Sequence, residues 1–203
     1  ALRQLCNRQG AVLIFDEVIT GFRIALGGAQ ERYGIQADLT CLGKIVGGGL
    51  PCAAVGGRAE IMDRLAPAGS VYQAGTLSGN PLATAAANVT MDLLRQCDPY
   101  PRLERVGAAL EQGLLQAARE AGVPVTVNRV GSILSCFFTD RPVRDFQDVQ
   151  ATDVPRFKRF FASMLSQGVY LAPSAFEAMF LSLSHTDQDI AHTIAAAAKA
   201  FRS

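Results

Sequence analysis

Residues 11–16 read "AVLIFD", an unbroken apolar run that ends on a carboxylate. A run this short and this apolar suits a strand buried on both faces, as in a parallel sheet, because a strand with one wet face would alternate. In open parallel sheets ligands sit beyond the carboxyl ends of the strands, so Asp16 and Glu17 stand where chemistry is usually done. Two more runs predict strands: "ADLTCLG" (37–43), leading into Lys44, and "CAAVGG" (52–57), leaving through Gly56 and Gly57.

Helices follow. Asn80 suits an N-cap and Pro81 the first helical position of an alanine-rich helix. "DPYP" (98–101) ends it and predicts a domain boundary. Beyond it, apolar residues at 103, 106, 110 and 114 form a helical stripe closed by Gly122. "VPVTV" and "SILSCFF" predict strands joined by a turn at Gly131. Residues 141–152 read as an exposed loop. Residues 154–167 read as a helix with Phe157, Phe160, Phe161, Met164 and Leu165 inward, ended by Gly168. Short strands are expected near 169–171 and 179–183, then a last helix capped by Thr186. This order predicts an α/β core followed by a small α+β domain.

Composition excludes several classes. The formal net charge is +1, so no global field favours nucleic acid or an anionic membrane. No apolar run approaches the ~20 residues that span a bilayer. Five cysteines without a CxxC pair argue against a disulfide framework or a zinc site, so no metal is expected and reduced thiols point to the cytoplasm. The start, "ALRQLCNRQG", reads as the tail of a helix with no cap before it and no apolar leader core, so a piece of a longer protein is expected.

"TCLGKIVGGG" (40–49) sets one lysine among apolar neighbours and follows it with three glycines. It is no phosphate loop: Asp38 stands where the first glycine belongs and Ile45 follows the lysine. The glycines do not match a dinucleotide fingerprint, and Pro51 argues against a helix opening there. A nucleophilic lysine must react as the neutral amine, and Leu42, Ile45 and Val46 could supply apolar surroundings. A Schiff-base cofactor would use that amine, glycines would admit its ring, and Asp16 could keep a pyridinium nitrogen protonated. Each feature alone has a plainer reading. Lys44 could be solvated, Asp16 a cap, Val18 core, Thr76 a turn residue and Glu177 a loop carboxylate. His185 and His192 read as structural and surface residues.

Three segments, "LIFDEVITGFR" (13–23), "ADLTCLGKIVGGGLPCAAVGG" (37–57) and "AGTLSGNPLATAAA" (74–87), resemble the signature of class III, fold-type I, pyridoxal-phosphate aminotransferases. The tail "GVYLAPSAFEAMFLSLSHTDQDIAHTIAAA" (168–197) is similar to the aminomutase branch of that family. The resemblance implies that residues 1–97 are the C-terminal part of a large cofactor-binding domain with a mostly parallel sheet, and that 98–203 form the small α+β domain. It implies pyridoxal 5'-phosphate or pyridoxamine 5'-phosphate as cofactor. Lys44 would link to it and carry a proton, Asp16 would pair with its ring nitrogen, and Val18 would pack on its face. Gly75 and Thr76 would bind the phosphate of the neighbouring subunit's cofactor, hence a homodimer with shared active sites. Glu177 would lie near the active site. The implied activity moves an amine within one small amino-aldehyde, on the way to tetrapyrroles. The alternatives are amine exchange between two substrates, or a catalytically incomplete fragment. The family's chains are roughly twice as long, and their N-terminal phosphate loop and ring-stacking aromatic residue have no counterpart here.

Overall fold

A computed structural model describes residues 1–203. The chain divides into two compact units, Ala1–Asp98 and Pro99–Ser203. No helix is long and apolar enough to cross a membrane.

The first unit is α/β. Helix α1 (Leu2–Gln9) ends on Gly10 in the left-handed conformation. Strand β1 (Ile14–Asp16) pairs in parallel with β2 (Leu39–Leu42), Ile14 opposite Leu39 and Asp16 opposite Cys41. Helix α2 (Gly28–Tyr33) lies between them in sequence. Strand β3 (Ala54–Gly57) runs antiparallel to β2 on its other edge, so the three strands make a mixed sheet with an antiparallel edge, a common addition to α/β folds. Helices α3 (Ala59–Met62) and α4 (Pro81–Cys97) complete the unit. Asn80 caps α4 by accepting from the Ala83 N–H at 2.9 Å, and Pro81 opens it.

β1 departs from its sequence pattern. It is shorter than "AVLIFD" and is not buried on both faces: Ile14 is 56% exposed and Phe15 half-buried. The strand sits at an edge of the sheet, and its apolar side chains stay largely uncovered.

The second unit is α+β, with its own core. Helix α5 (Tyr100–Glu120) buries Leu103, Val106, Leu110 and Leu114, the stripe read from the sequence. Strands β4 (Thr126–Val130) and β5 (Ile133–Phe137) form a hairpin. Helix α6 (Phe146–Gln150) occupies the segment expected to be loop, because Asp145 caps it by accepting from the Asp148 N–H at 3.0 Å. Helix α7 (Val154–Ser166) buries Phe157, Phe160 and Met164, but Leu165 is 48% exposed. The expected strand at 169–171 does not form. The Gly168 and Val169 amides are used instead to close α7, bonding to the Leu165 and Met164 carbonyls at 3.0 Å each. Strand β6 (Met179–Phe180) pairs with β5, and α8 (Asp187–Ala200) carries a capping box between Thr186 and Asp189. The rings of Phe138, Phe160 and Phe201 meet at the centre, with Phe160 stacked on Phe201 at 4.7 Å between centroids.

Candidate active site

β1 and β2 run parallel, so their carboxyl ends open on the same side of the first unit. Asp16 ends β1 opposite Cys41, and the Glu17 N–H extends the pairing by donating to the Cys41 carbonyl at 2.9 Å. Lys44 follows three residues later, at the start of a 3-10 turn (Lys44–Gly47). An amine and a carboxylate are thus delivered by neighbouring strand ends.

Lys44 is exposed. Val46 beside it is buried and Leu42 and Ile45 are half-buried, so the apolar neighbours pack around the backbone and do not enclose the amine as the sequence suggested. The backbone at Lys44 is left-handed, with φ +49°. That conformation costs a non-glycine residue about 1–2 kcal/mol, and such outliers concentrate at functional sites.

Asp16 is also exposed, where the sequence placed it at the end of a buried strand. Its Oδ1 accepts from the Val18 N–H at 3.0 Å. The Val18 side chain lies against Gly43: a Cβ at Gly43 would sit 3.2 Å from Val18 Cγ1. Asp16, Val18 and the Gly43–Lys44 segment therefore come together.

Gly75 and Thr76 are exposed residues of a turn in which the Ser78 N–H donates to the Gly75 carbonyl at 3.0 Å. Gly75 and Val18 line one open cavity of about 670 Å³, with Cys41, Gln73, Ser78 and Asn80; Lys44, Asp16 and Thr76 are not among its walls. Glu177 belongs to the second unit. It is exposed, sits in a turn closed by its own N–H to the Ser174 carbonyl at 3.2 Å, and borders a small cavity of about 20 Å³ with Met164 and Thr193. Cys136 lines the same cavity; burial pushes its thiol up to about 12, which keeps it protonated and unreactive. His185 accepts the Ser182 N–H through Nδ1 at 3.0 Å, a structural role, and His192 lies exposed on α8.

A family model described as aminotransferase class-III matches residues 1–201. The chain belongs to the class-III aminotransferase family. It is 57% identical over 202 residues to a glutamate-1-semialdehyde 2,1-aminomutase of Pelotomaculum thermopropionicum, and 55% identical over 201 residues to one of Persephonella marina. Those alignments take in 100% and 99% of this chain but 46% and 47% of the relatives, so the chain spans about half the length of the curated relatives it matches. Among solved structures, an omega-transaminase from Sphaerobacter thermophilus superposes with a TM-score of 0.86 at 32% identity, covering 99% of this chain and 46% of that one. A transaminase described as having PLP bound superposes with a TM-score of 0.84 at 27% identity, covering 98% and 46%.

Two carboxylates of this class-III chain have roles that the motifs do not mark. Glu17, next to Asp16 at the strand end, is 1% exposed and turned inward. Burial pushes its carboxyl up, but hydrogen bonds from Thr20, Ala29 and Gln30 outweigh that and hold it below the ordinary range. Asp38 is 6% exposed and accepts from the Leu13 N–H and Arg3 at 2.7 Å each and from Arg58 at 3.2 Å, tying α1, β1 and the exit of β3 to the start of β2. The sequence marks Glu17 only by its place with Asp16 at the end of the first strand, which does not tell its inward direction; for Asp38 there is no signal beyond its place before a strand.

Proposed function

We propose that this chain is part of a pyridoxal-phosphate-dependent glutamate-1-semialdehyde 2,1-aminomutase, which converts glutamate-1-semialdehyde to 5-aminolevulinate by moving the amine within one molecule, a step toward tetrapyrroles. The observation that carries the reading is the placement of the Asp16 carboxylate and the Lys44 amine at the ends of adjacent parallel strands, in a chain 57% identical to a curated aminomutase.

The residues present fit the cofactor. Lys44 offers an exposed primary amine and Asp16 an exposed carboxylate, and the absent side chain of Gly43 lets Val18 pack against the lysine segment. When bound, pyridoxal phosphate supplies an electron-withdrawing ring that accepts the electron pair of a breaking C–H bond. Asp16 would keep the ring nitrogen protonated. Val18 would pack on the ring face, and Gly75 with Thr76 would hold a phosphate, which in this reading belongs to the other subunit of a homodimer. Lys44 Nζ would take the proton from one carbon and return it to the next, a general acid–base role worth about 10²–10⁴-fold. The five free thiols suit a reducing cytoplasm.

The test uses the protein that carries this chain. Lys44→Ala should abolish the visible absorbance of the lysine-linked cofactor and lower turnover by at least about 10²-fold; persistence of both rejects Lys44. A second reading, amine exchange between two substrates, is favoured by the likeness to transaminase structures. Turnover of glutamate-1-semialdehyde without an added amino donor supports the aminomutase, and turnover only with a donor rejects it.

A further inference from the structure

The residue after Asp16 is the most enclosed charged side chain of the first unit. Glu17 Oε2 accepts from the Thr20 hydroxyl at 2.6 Å and from the Ala29 N–H at 2.8 Å, and Oε1 accepts from the Gln30 N–H at 3.0 Å. Ala29 and Gln30 lie in the first turn of α2, so the carboxylate satisfies amides that a helix start leaves without partners. Gly28 makes room for it. Its φ is +67°, and a Cβ there would lie 2.2 Å from Glu17 Oε2. The side chain thus closes the loop from β1 to α2 upon the residue where the loop begins.

The backbone of Glu17 faces the other way. Its N–H bonds to the Cys41 carbonyl at 2.9 Å, three residues before Lys44. Its two chain neighbours are Asp16 and Val18, joined by the Val18 N–H to Asp16 Oδ1 bond at 3.0 Å, with Val18 packed on Gly43. One buried residue therefore connects the anchoring of the loop with the orientation of the exposed carboxylate.

We infer that Glu17 is a positioning residue: its buried carboxylate fixes the loop in which the Val18 N–H orients Asp16 beside the Gly43–Lys44 segment. The inference rests on the roles proposed above for Asp16 and Lys44. A glutamine at this position keeps the shape but sets an NH2 group against amide donors, so at least one of the three bonds is lost and a buried donor goes unpaired. Thr20→Val removes one donor and leaves the carboxylate in place.

Amide hydrogen exchange of the cofactor-free protein is the first readout. Glu17→Gln should speed exchange at Val18 together with Ala29 and Gln30, by about ten-fold or more. With cofactor bound, kcat should fall about ten-fold with KM little changed, since small misplacements act on the chemical step. The pH midpoint of the lysine-linked absorbance should also move. Thr20→Val should give smaller changes in the same direction, and it carries the test if Glu17→Gln does not fold. Faster exchange at Ala29 and Gln30 alone, with Val18, kcat and the pH midpoint unchanged, overturns the inference and leaves Glu17 a helix anchor. The Lys44→Ala protein separates the two levels. If it keeps the absorbance band, the reading of Lys44 fails and the inference falls with it. If it loses the band while Glu17→Gln keeps native kcat and pH midpoint, only the positioning role fails.

Discussion

Lys44 combines an exposed amine with a left-handed backbone. Asparagine tolerates that conformation better than lysine, so Lys44→Asn should raise stability by about 0.5–1 kcal/mol in a denaturant melt while removing the lysine-linked absorbance. A gain in stability with loss of function would mark the strain as functional. Asp38 makes a prediction about acid. The Leu13 N–H and Arg3 beside it, helped by Arg58 against the opposing effect of burial, lower its carboxyl from the ordinary 3.8 to about 2. A depressed carboxyl stabilises the fold fully above its unfolded value and loses that contribution as the proton binds. Stability owed to Asp38 should therefore be complete above 3.8 and disappear as the pH falls toward 2. Asp38→Asn should flatten that part of the profile of melting temperature against pH; an unchanged slope counts against the assignment.

Helix caps are local, which is why they are legible. Asn80, Pro81 and Thr186 announce α4 and α8 in the sequence and do the same work in the structure. Asn80→Ala and Thr186→Ala should each cost about 1 kcal/mol in chemical denaturation. Phe160 is 3% exposed and contacts two other rings, so Phe160→Ala should cost about 3–5 kcal/mol. Where an element differs from its sequence pattern, a local competitor decides. The Asp145 cap makes α6 out of an apparent loop, and the Val169 amide closes α7 in preference to a strand ladder. β1 departs from its pattern for a different reason. Its run is apolar enough for burial, but burial depends on what packs across the sheet, which no window of six residues contains.

The two units are unequal. Apart from Ile24, Val46 and Ala83, every buried apolar side chain lies in Pro99–Ser203, whereas Ala1–Asp98 leaves Ile14, Val55, Leu82, Val89 and Leu93 among many exposed apolar residues. Folding requires buried apolar area to offset conformational entropy. Expressed separately, Pro99–Ser203 should melt in one cooperative transition, and Ala1–Asp98 should show a broad transition or none by calorimetry. A sharp transition for Ala1–Asp98 would contradict this.

The sequence by itself determined the family resemblance, the strand–carboxylate and lysine–glycine segments, and most helix boundaries, because each is written in contiguous residues. Only the tertiary structure decided that of Asp16 and Glu17, adjacent and alike in charge, one is exposed and the other buried. Side chains alternate across a strand end, and Gly28 leaves room on one side for a carboxylate. Glu17 therefore turns into the fold to meet the amides of α2, and Asp16 stays exposed beside the lysine segment.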